Sequence, residues 1–367
     1  MNIEKALSYA AEVTKRSIPD FADGFPDDQS TNYVYKSTEN TSWTEGFYPG
    51  ILWLLYEMTG DEAFRRAAEN HYPSMKTRIY ERINTAHHDM GFLYSLSCVA
   101  QYKLTGDTDA KATALTAADC LIERYHEKGG FIQAWGPLDQ QDSYRLIVDC
   151  LLNIPLLFWA TEVTNNQKYR QIAETHLHTA LDTVIRDDYS SYHTYYFDIN
   201  TGAPLKGTTH QGYADDSCWA RGQAWAVCGI PLAYHYTKDE SLLEKFNGVT
   251  EYFISHLPED YVPYWDLCFS PEDHQPRDTS AAAIAVCGIL EMEKHFPNPK
   301  FRQAAENMMN SLAENYTTKN YPNSNGILTD GMYNRNGGDN PECNIWGDYF
   351  YLEALMRMKN PDWKLYW

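Results

Sequence analysis

The sequence lacks the short motifs that mark the commonest nucleotide-binding, metal-binding and serine-hydrolase sites. It has no G-x-x-x-x-G-K-[ST] or G-x-G-x-x-G loop and no G-x-S-x-G elbow. It also has no H-E-x-x-H or C-x-x-C pair, and the adjacent His87 and His88 cannot share one helical face as two metal ligands four residues apart would. We therefore predict that the protein uses no metal and no cofactor.

Positive charge and long apolar runs are also scarce. The chain has 30 lysines and arginines against 50 aspartates and glutamates, a net charge of −20, which argues against nucleic acid or an anionic membrane as a partner. No apolar run reaches the length of a membrane span, and Glu4 and Lys5 interrupt the start of the chain. Most of the eight cysteines fall in apolar helical runs, as reduced core cysteines do. We expect a soluble, cytoplasmic protein, whose oligomeric state the sequence leaves open.

What the sequence does contain is one helical pattern repeated six times. An apolar helix is followed by a short turn, such as Thr59-Gly60-Asp61, and then by an amphipathic helix. The apolar segments are about 43–59, 91–105, 146–163, 217–236, 279–295 and 345–358, and the amphipathic ones are about 2–16, 62–83, 109–126, 167–185, 240–256 and 299–316. Helices that are apolar all round are buried, so the pattern predicts an all-α (α/α)6 barrel with an inner and an outer ring. An open helical solenoid is the alternative.

Long connections precede three of the apolar helices. Residues 129–145, 187–216 and 261–278 are rich in Trp, Tyr, Gly, His and Asp, and we expect short strands in some of them. All three lead into the N-termini of inner helices, so in a closed ring they would meet at one end and form a single cleft. No linker or low-complexity tract divides the chain, which predicts one domain over residues 1–367.

Two aspartates fall at the entrances of neighbouring inner helices. Asp89 in "AHHDMGFLYSL" is placed to cap the helix that follows, where the helix dipole favours a negative charge. Asp149 in "SYRLIVDCLLNIPLL" lies among apolar residues, either as a hydrogen-bonded structural acid or as an acid whose raised pKa lets it deliver a proton. One protonated and one ionised carboxyl group are what acid–base chemistry on a sugar requires.

A third helix entrance, "GTTHQGYADDSCWARGQAW", adds polar and aromatic groups to this end: His210, Gln211, Trp219, Arg221 and Trp225. The planar guanidinium of Arg221 suits a carboxylate, and an anionic ligand would need such a local cation in so acidic a protein. The tryptophans, together with Trp43 and Trp135, would either offer flat faces to a sugar ring or pack in the core.

The chain resembles the unsaturated glucuronyl hydrolases of glycoside hydrolase family 88 along almost its whole length. The resemblance rests on these stretches in this order: "TSWTEGFYPGILWLLYE", "HHDMGFLYSLS", "GFIQAWGP", "IVDCLLNIPLL", "DDYSSYHTYYFD", "THQGYADDSCWARGQAW", "YWDL", "RDTSAAAIAVCGILE" and "IWGDYFYLEAL". It implies a single (α/α)6 barrel. It also implies a substrate, the Δ4,5-unsaturated uronic acid that polysaccharide lyases leave at the non-reducing end of glycosaminoglycan fragments.

The resemblance further implies roles for individual residues. The acid/base aspartate of the family corresponds to Asp149 and its second aspartate to Asp89, which would both cap its helix and face the sugar. The sugar-contacting positions correspond to Trp43, His88, Trp135, His193, His210, Gln211, Trp219, Arg221 and Trp225. The implied reaction hydrates the vinyl ether C4=C5 instead of attacking the anomeric carbon.

Other readings stay open at this stage. A sibling enzyme could act on unsaturated rhamnogalacturonan fragments, the barrel could be a sugar epimerase, or the toroid could bind carbohydrate without catalysis. The resemblance also implies that family members differ in the segment "NRNGGDNPECNIWGD" and that a neighbouring, sulfated sugar would be recognised there; Arg335 is the only cation of this segment.

Overall fold

The computed structural model describes all 367 residues. Its α-helices are α1 Ile3–Ser17, α2 Phe47–Thr59, α3 Glu62–Tyr80, α4 Met90–Tyr94, α5 Ala100–Thr105, α6 Thr108–Ile122, α7 Pro155–Thr164, α8 Gln167–Val184, α9 Ala220–Thr237, α10 Leu242–Ser255, α11 Thr279–Glu293, α12 Pro299–Asn315 and α13 Ile345–Lys359. Its strands are β1 Phe25–Pro26, β2 Ser37–Thr38, β3 Tyr125–His126, β4 Phe131–Ile132, β5 Arg145–Ile147, β6 Thr194–Phe197 and β7 Pro204–Thr208.

The helices form a closed double ring. Helices α2, α4–α5, α7, α9, α11 and α13 make up the inner ring, and the last of them, α13, packs against the first, α2. Helices α1, α3, α6, α8, α10 and α12 lie outside, each packed against an inner neighbour. The fold is therefore the predicted (α/α)6 barrel, and the contact between α13 and α2 excludes the open solenoid.

The turns between paired helices follow from their sequences. Helix α2 ends at Gly60, whose φ of 70° is the left-handed conformation that glycine adopts without strain. Asp61 then caps α3 by accepting a hydrogen bond from the backbone N–H of Ala63. Gly106 and Asp107 repeat the arrangement between α5 and α6. These Gly-Asp turns end the buried helix sharply and start the outer one.

The predicted inner helix over 146–163 is wrong in its first half. Residues Arg145–Ile147 form β5, residues Val148–Leu152 form a 3₁₀ turn, and α7 starts only at Pro155. Proline lacks an N–H and favours the first turn of a helix, so it fixes the start of α7. The residues before it pair with β6 instead, and the N–H of Val148 donates to the carbonyl of His193. Asp149 consequently lies on a short turn at the barrel mouth.

A second departure interrupts the inner helix predicted over 91–105. Residues Ser95–Val99 form one π-helical turn between α4 and α5. Such turns are rare and cluster at functional sites. The turn lies directly after the short helix α4, which starts next to Asp89.

We expect short strands in some of the long connections, and two of the three, residues 129–145 and 187–216, contain them. β5, β6 and β7 form an antiparallel sheet in that order, and β3 pairs with β4. Residues 261–278 contain no strand, only isolated bridges such as the one between Tyr264 and Arg277. The β5–β6 pairing holds Asp149 and His193 side by side at one end of the barrel.

A single cluster of 106 buried apolar residues runs through the helix pairs. Seven of the eight free cysteines are buried, while Cys268 is exposed. None of the helices combines the length and the hydropathy that a membrane span requires.

The buried His71 gives one testable consequence for stability. Burial between aromatic rings of Phe25 and Tyr48 lowers its pKa from 6.5 to about 4. The unfolded chain therefore binds a proton that the folded chain excludes, so this residue reduces stability as pH falls below 6.5. We expect His71→Phe to match the wild type at pH 7 and to exceed it by about 2 kcal/mol at pH 5. Urea unfolding of both proteins at the two pH values measures this; an equal difference at both would contradict it.

Candidate active site

One cavity at the N-terminal ends of the inner helices brings together both predicted catalytic aspartates and all nine predicted sugar-contacting residues. Its volume is about 180 Å³, room for on the order of six water molecules. It is lined by Trp43, His88, Asp89, Trp135, Asp149, His193, His210, Gln211, Trp219, Arg221 and Trp225, and additionally by Ile147 and Tyr333. The sequence analysis missed the last two, and Tyr333 comes from the connection before α13, far along the chain from both acids.

Asp89 stands at the start of α4 but does not cap it. Its side chain accepts no hydrogen bond from the helix backbone, so the expected dual role is wrong in this respect. The carboxylate instead lies 2.9 Å from Nδ1 of His87, through Oδ2, and 3.4 Å from Nε2 of His88, through Oδ1. The carboxylate therefore contacts the side chains of His87 and His88 instead of the helix backbone, and it lines the cavity.

Asn153, which the sequence analysis did not single out, performs the capping. Its Oδ1 accepts the N–H of Phe92 at 3.0 Å, while its Nδ2 approaches Oδ1 of Asp89 at 3.5 Å and the carbonyl of Asp149 at 3.3 Å. Gly91 makes this approach possible, since a Cβ there would lie 2.4 Å from the Cα of Asn153. Asn153 therefore joins the segments that carry the two acids.

The two carboxyl groups have pKa values displaced in opposite directions. Burial, with the negative charge of Asp89 as a second cause, raises the pKa of Asp149 well above its ordinary value. Burial would also raise the pKa of Asp89, but the imidazoles of His88 and His87 outweigh it and bring this pKa below its ordinary value. These opposite shifts favour the proton on Asp149 and the negative charge on Asp89.

His88 lies between the two acids. Its Nε2 is 3.4 Å from an oxygen of Asp89 and 3.4 Å from Oδ1 of Asp149, which has no hydrogen-bond partner. Burial lowers the pKa of His88 to about 4, so the ring is neutral at pH 7. A neutral ring can orient the acids without neutralising either of them.

His193 presents a hydrogen-bond donor whose position is fixed by the loop before α9. Its Nδ1 accepts the backbone N–H groups of His210 and Gln211, each at 3.0 Å. Burial lowers the pKa of His193 well below its ordinary value, so the ring is neutral and its hydrogen is on Nε2. His193 thus ties the loop carrying His210 and Gln211 to the edge of β6.

The guanidinium fork of Arg221 is occupied by protein groups, while its predicted contact with the sugar stays a prediction. Its terminal N–H groups are taken by protein oxygens: Asp278 Oδ2 at 2.8 Å, the carbonyl of Met332, Gln211 Oε1 at 3.1 Å and the carbonyl of Tyr333 at 2.7 Å. Both members of the pair with Asp278 are buried. Arg221 still lines the cavity, but it joins α9, α11 and the connection before α13 instead of offering a bidentate grip.

This ion pair gives a stability prediction. Arg221→Ala should reduce the free energy of unfolding by about 3–5 kcal/mol, because Asp278 would remain buried without a partner. Arg221→Lys keeps a positive charge but cannot reach all four oxygens, so its free energy of unfolding should lie between those of the wild type and Arg221→Ala. Urea unfolding measures both. If Arg221→Ala instead had wild-type stability and only a raised KM, Arg221 would have a ligand-binding role and no structural one.

The aromatic residues divide into two groups by exposure. Trp219 and Trp225 are buried, at 5% and 1% exposure, and line the cavity with little free surface. Trp43 and Trp135 are half-buried: Trp43 donates from Nε1 to the hydroxyl of Tyr333 at 3.0 Å, and the guanidinium of Arg145 lies 4.4 Å from the Trp135 ring. The half-buried pair therefore keeps ring surface that a ligand in the cavity can contact.

Two side-chain sets have ligand atoms close enough to hold a metal ion. His88, Asp89 and Asp149 have theirs within 4.8 Å of one another in the cavity, and so have His235, Glu291 and His295 at the ends of α9 and α11. The first set is the acid pair itself with its intervening imidazole. The expectation of a metal-free site stays a prediction.

Comparison with known proteins gives consistent matches over the whole chain. The profile of Glycosyl Hydrolase Family 88 matches residues 13–360. The unsaturated chondroitin disaccharide hydrolase of Streptococcus pneumoniae is 51% identical over 95% of this chain and 89% of its own length. The crystal structure of an unsaturated glucuronyl hydrolase from Streptococcus agalactiae superposes with a TM-score of 0.96 at 48% identity, covering 100% of this chain and 93% of that one. A crystal structure of an unsaturated glucuronyl hydrolase specific for heparin gives 0.90 at 30% identity, over 97% and 96% of the two chains.

Proposed function

The chain belongs to glycosyl hydrolase family 88, and from this premise we propose that it removes the Δ4,5-unsaturated uronic acid from the non-reducing end of oligosaccharides made by polysaccharide lyases. It is a glycoside hydrolase of the unsaturated glucuronyl hydrolase type. We further propose an unsaturated chondroitin disaccharide as the preferred substrate, since the chondroitin-named relative is 51% identical and the heparin-specific one 30%.

The observation that supports this function most strongly is the pair of cavity acids with opposite pKa shifts. Asp149, whose pKa is raised by burial, is a proton donor near neutral pH, and Asp89 supplies the fixed negative charge. Both lie against one small cavity with flanking tryptophans and neutral histidines. This combination suits a reaction that adds a proton to carbon and passes through a cation.

The first step is protonation of the double bond. The carboxyl proton of Asp149 is transferred to C4 of the vinyl ether C4=C5, and the positive charge that results is shared by C5 and the ring oxygen. Ionised Asp89 stabilises this cation electrostatically and accepts hydrogen bonds from the sugar hydroxyls. His193, neutral and protonated on Nε2, donates a hydrogen bond to the substrate.

The second step is addition of water at C5. The Asp149 carboxylate takes one proton from that water as its oxygen bonds to C5, which regenerates the acid and gives a hemiketal. The hemiketal opens to a ketone at C5, leaving a hemiacetal at C1, and its collapse releases the leaving sugar as an alcohol. One water molecule is consumed and no proton is gained or lost overall. Trp43 and Trp135 pack against the sugar ring, and Gln211 and His210 line the cavity beside it.

A carbohydrate-binding toroid and a sibling hydrolase are the competing functions. A binding module has no use for two carboxyl groups of opposite protonation state in one cavity, so Asp149→Asn should leave its affinity unchanged. The sibling would prefer an unsaturated rhamnogalacturonan disaccharide. Measuring kcat/KM on unsaturated chondroitin, hyaluronan, heparin and rhamnogalacturonan disaccharides tests the proposal. The highest value on a glycosaminoglycan fragment supports it, and the highest value on the rhamnogalacturonan fragment would overturn it.

The chain acts as one catalytic domain over residues 1–367, in keeping with its continuous core. Recognition of the neighbouring sugar is assigned to residues 334–344, where Arg335 is exposed. The cytoplasmic location stays a prediction, which fractionation of the source cells tests.

A further inference from the structure

His87 lies outside the cavity lining but directly contacts one of its acids. Its Nδ1 is 2.9 Å from Oδ2 of Asp89, and its Nε2 is 2.8 Å from the backbone carbonyl of Asn84. The side chain is 16% exposed, so water reaches only its edge. Both ring nitrogens therefore face oxygen atoms.

The identity of these oxygens restricts the protonation state of His87. A backbone carbonyl only accepts hydrogen bonds, so Nε2 must carry a hydrogen. An ionised carboxylate likewise accepts hydrogen bonds and cannot donate them. If Nδ1 carried no hydrogen, two lone pairs would face each other at 2.9 Å. Only the doubly protonated imidazolium donates to both oxygens while Asp89 stays ionised.

The backbone N–H of Asp89 offers the alternative arrangement. It points at His87 Nδ1 at 3.1 Å and would be satisfied by a neutral ring. That ring is compatible with Asp89 only if the carboxyl group is protonated and donates to Nδ1. The two arrangements differ by the position of one proton between His87 and Asp89, and the net charge of the pair is zero in both.

We propose that His87 is a positioning residue for the reaction, which as an imidazolium anchored on the Asn84 carbonyl holds Asp89 ionised and aimed into the cavity. This inference rests on the proposed function only for its catalytic consequence. It accounts for the orientation of a carboxylate that caps no helix and contacts His87 instead. It also separates the roles of the two adjacent histidines, since His88 lies between the two acids and His87 contacts only Asp89.

Other charged and titratable groups act on Asp89 from the elements around it. Asp149 and His88 face it inside the cavity, Tyr333 approaches from the connection before α13, and Arg124 follows α6. Arg124 is committed to the carbonyls of Gln133 and Gly136. None of these groups is hydrogen-bonded to Oδ2 of Asp89, the oxygen that His87 contacts.

The test uses three variants of the full chain. His87→Leu removes both donors, and His87→Asn places an amide N–H near the position of Nδ1 and so restores the donor to Asp89. His178→Leu is the matched control, because His178 also faces a carboxylate, that of Asp239 at 3.9 Å, but on the outer surface. For each variant, kcat/KM on an unsaturated chondroitin disaccharide is measured across pH, together with a melting curve.

We expect His87→Leu to lower kcat/KM about 10- to 100-fold and to move the acidic limb of its pH profile upward by about one unit, since loss of an adjacent cation raises a carboxyl pKa by one to three units. His87→Asn should recover most of the activity, and His178→Leu should match the wild type. An unchanged acidic limb in His87→Leu would overturn the inference, even if activity fell.

A second measurement needs no substrate and so separates this inference from the proposed function. Imidazole ¹⁵N NMR of the wild type at pH 7 should show hydrogens on both ring nitrogens of His87 and on one nitrogen of His88. A singly protonated His87 would overturn the inference. An inactive wild type with a doubly protonated His87 would instead count against the proposed function alone.

Discussion

Asp149→Asn is expected to lower kcat by about 10²- to 10⁴-fold, the contribution that a positioned general acid makes. The amide cannot release a proton to C4, nor take one from the water that adds at C5. The fold should survive, because Asp149 Oδ1 has no hydrogen-bond partner to lose. Steady-state kinetics with a melting curve measures both effects, and the exposed Asp142→Asn serves as the matched control.

The stability of this variant provides an independent check. The pKa of Asp149 is raised in the folded state, so the folded chain holds a proton that the unfolded chain releases, and stability falls as pH rises through the region above 3.8. Asparagine removes this effect, so Asp149→Asn should melt at or above the wild-type temperature at pH 7. Lost activity together with a collapsed melting curve would make Asp149 a structural acid.

Asp89→Asn is expected to have the next largest effect, a loss of about 10²-fold or more in kcat, because the cation at C5 loses its nearest negative charge. The residual activity should also have a shifted pH profile. Asp89 is one cause of the raised pKa of Asp149, so its neutralisation should lower that pKa. The alkaline limb of kcat, where Asp149 loses its proton, should then move to lower pH than in the wild type.

The charge of Asp89 therefore influences the pKa of Asp149, an effect that activity at a single pH does not reveal. Kinetics of the Asp89→Asn protein across pH, compared with the wild type under the same conditions, measures this effect. An alkaline limb in an unchanged position would mean that Asp89 does not influence the proton on Asp149. A loss below tenfold would remove Asp89 from the catalytic machinery.

The ring of helices could be predicted from the sequence because its signals are local. Each buried helix is apolar all round and each outer helix has a single apolar face, and a Gly-Asp turn separates the two in the first pairs. The observed ends of α1, α8 and α12 lie within a residue or two of those predicted. The gathering of the site residues also followed from one local rule, that their segments lead into inner helices.

The errors arose where a distant partner decides the outcome. Leu146, Ile147 and the residues after them are as apolar as a buried helix, but Arg145–Ile147 pair with β6 nearly fifty residues later. Asp89 is a residue type that often caps helices and stands at the right position, yet Asn153 from another segment accepts the backbone N–H of α4. Arg221 looked like a free cation because Asp278 is 57 residues away. Tyr333 joined the cavity through ring closure, which periodicity alone does not locate.

Solvent labelling of the released uronic product tests the central claim most directly. If Asp149 protonates carbon, turnover in deuterated water places one deuterium on C4, with a preference for one face, and oxygen-18 from water enters at C5. NMR and mass spectrometry of product trapped early in the reaction measure both labels, since a deuterium bound to carbon at the former vinyl position does not exchange readily. Ordinary glycoside hydrolysis would contradict the account by leaving C4 without deuterium and placing the oxygen-18 at the anomeric carbon.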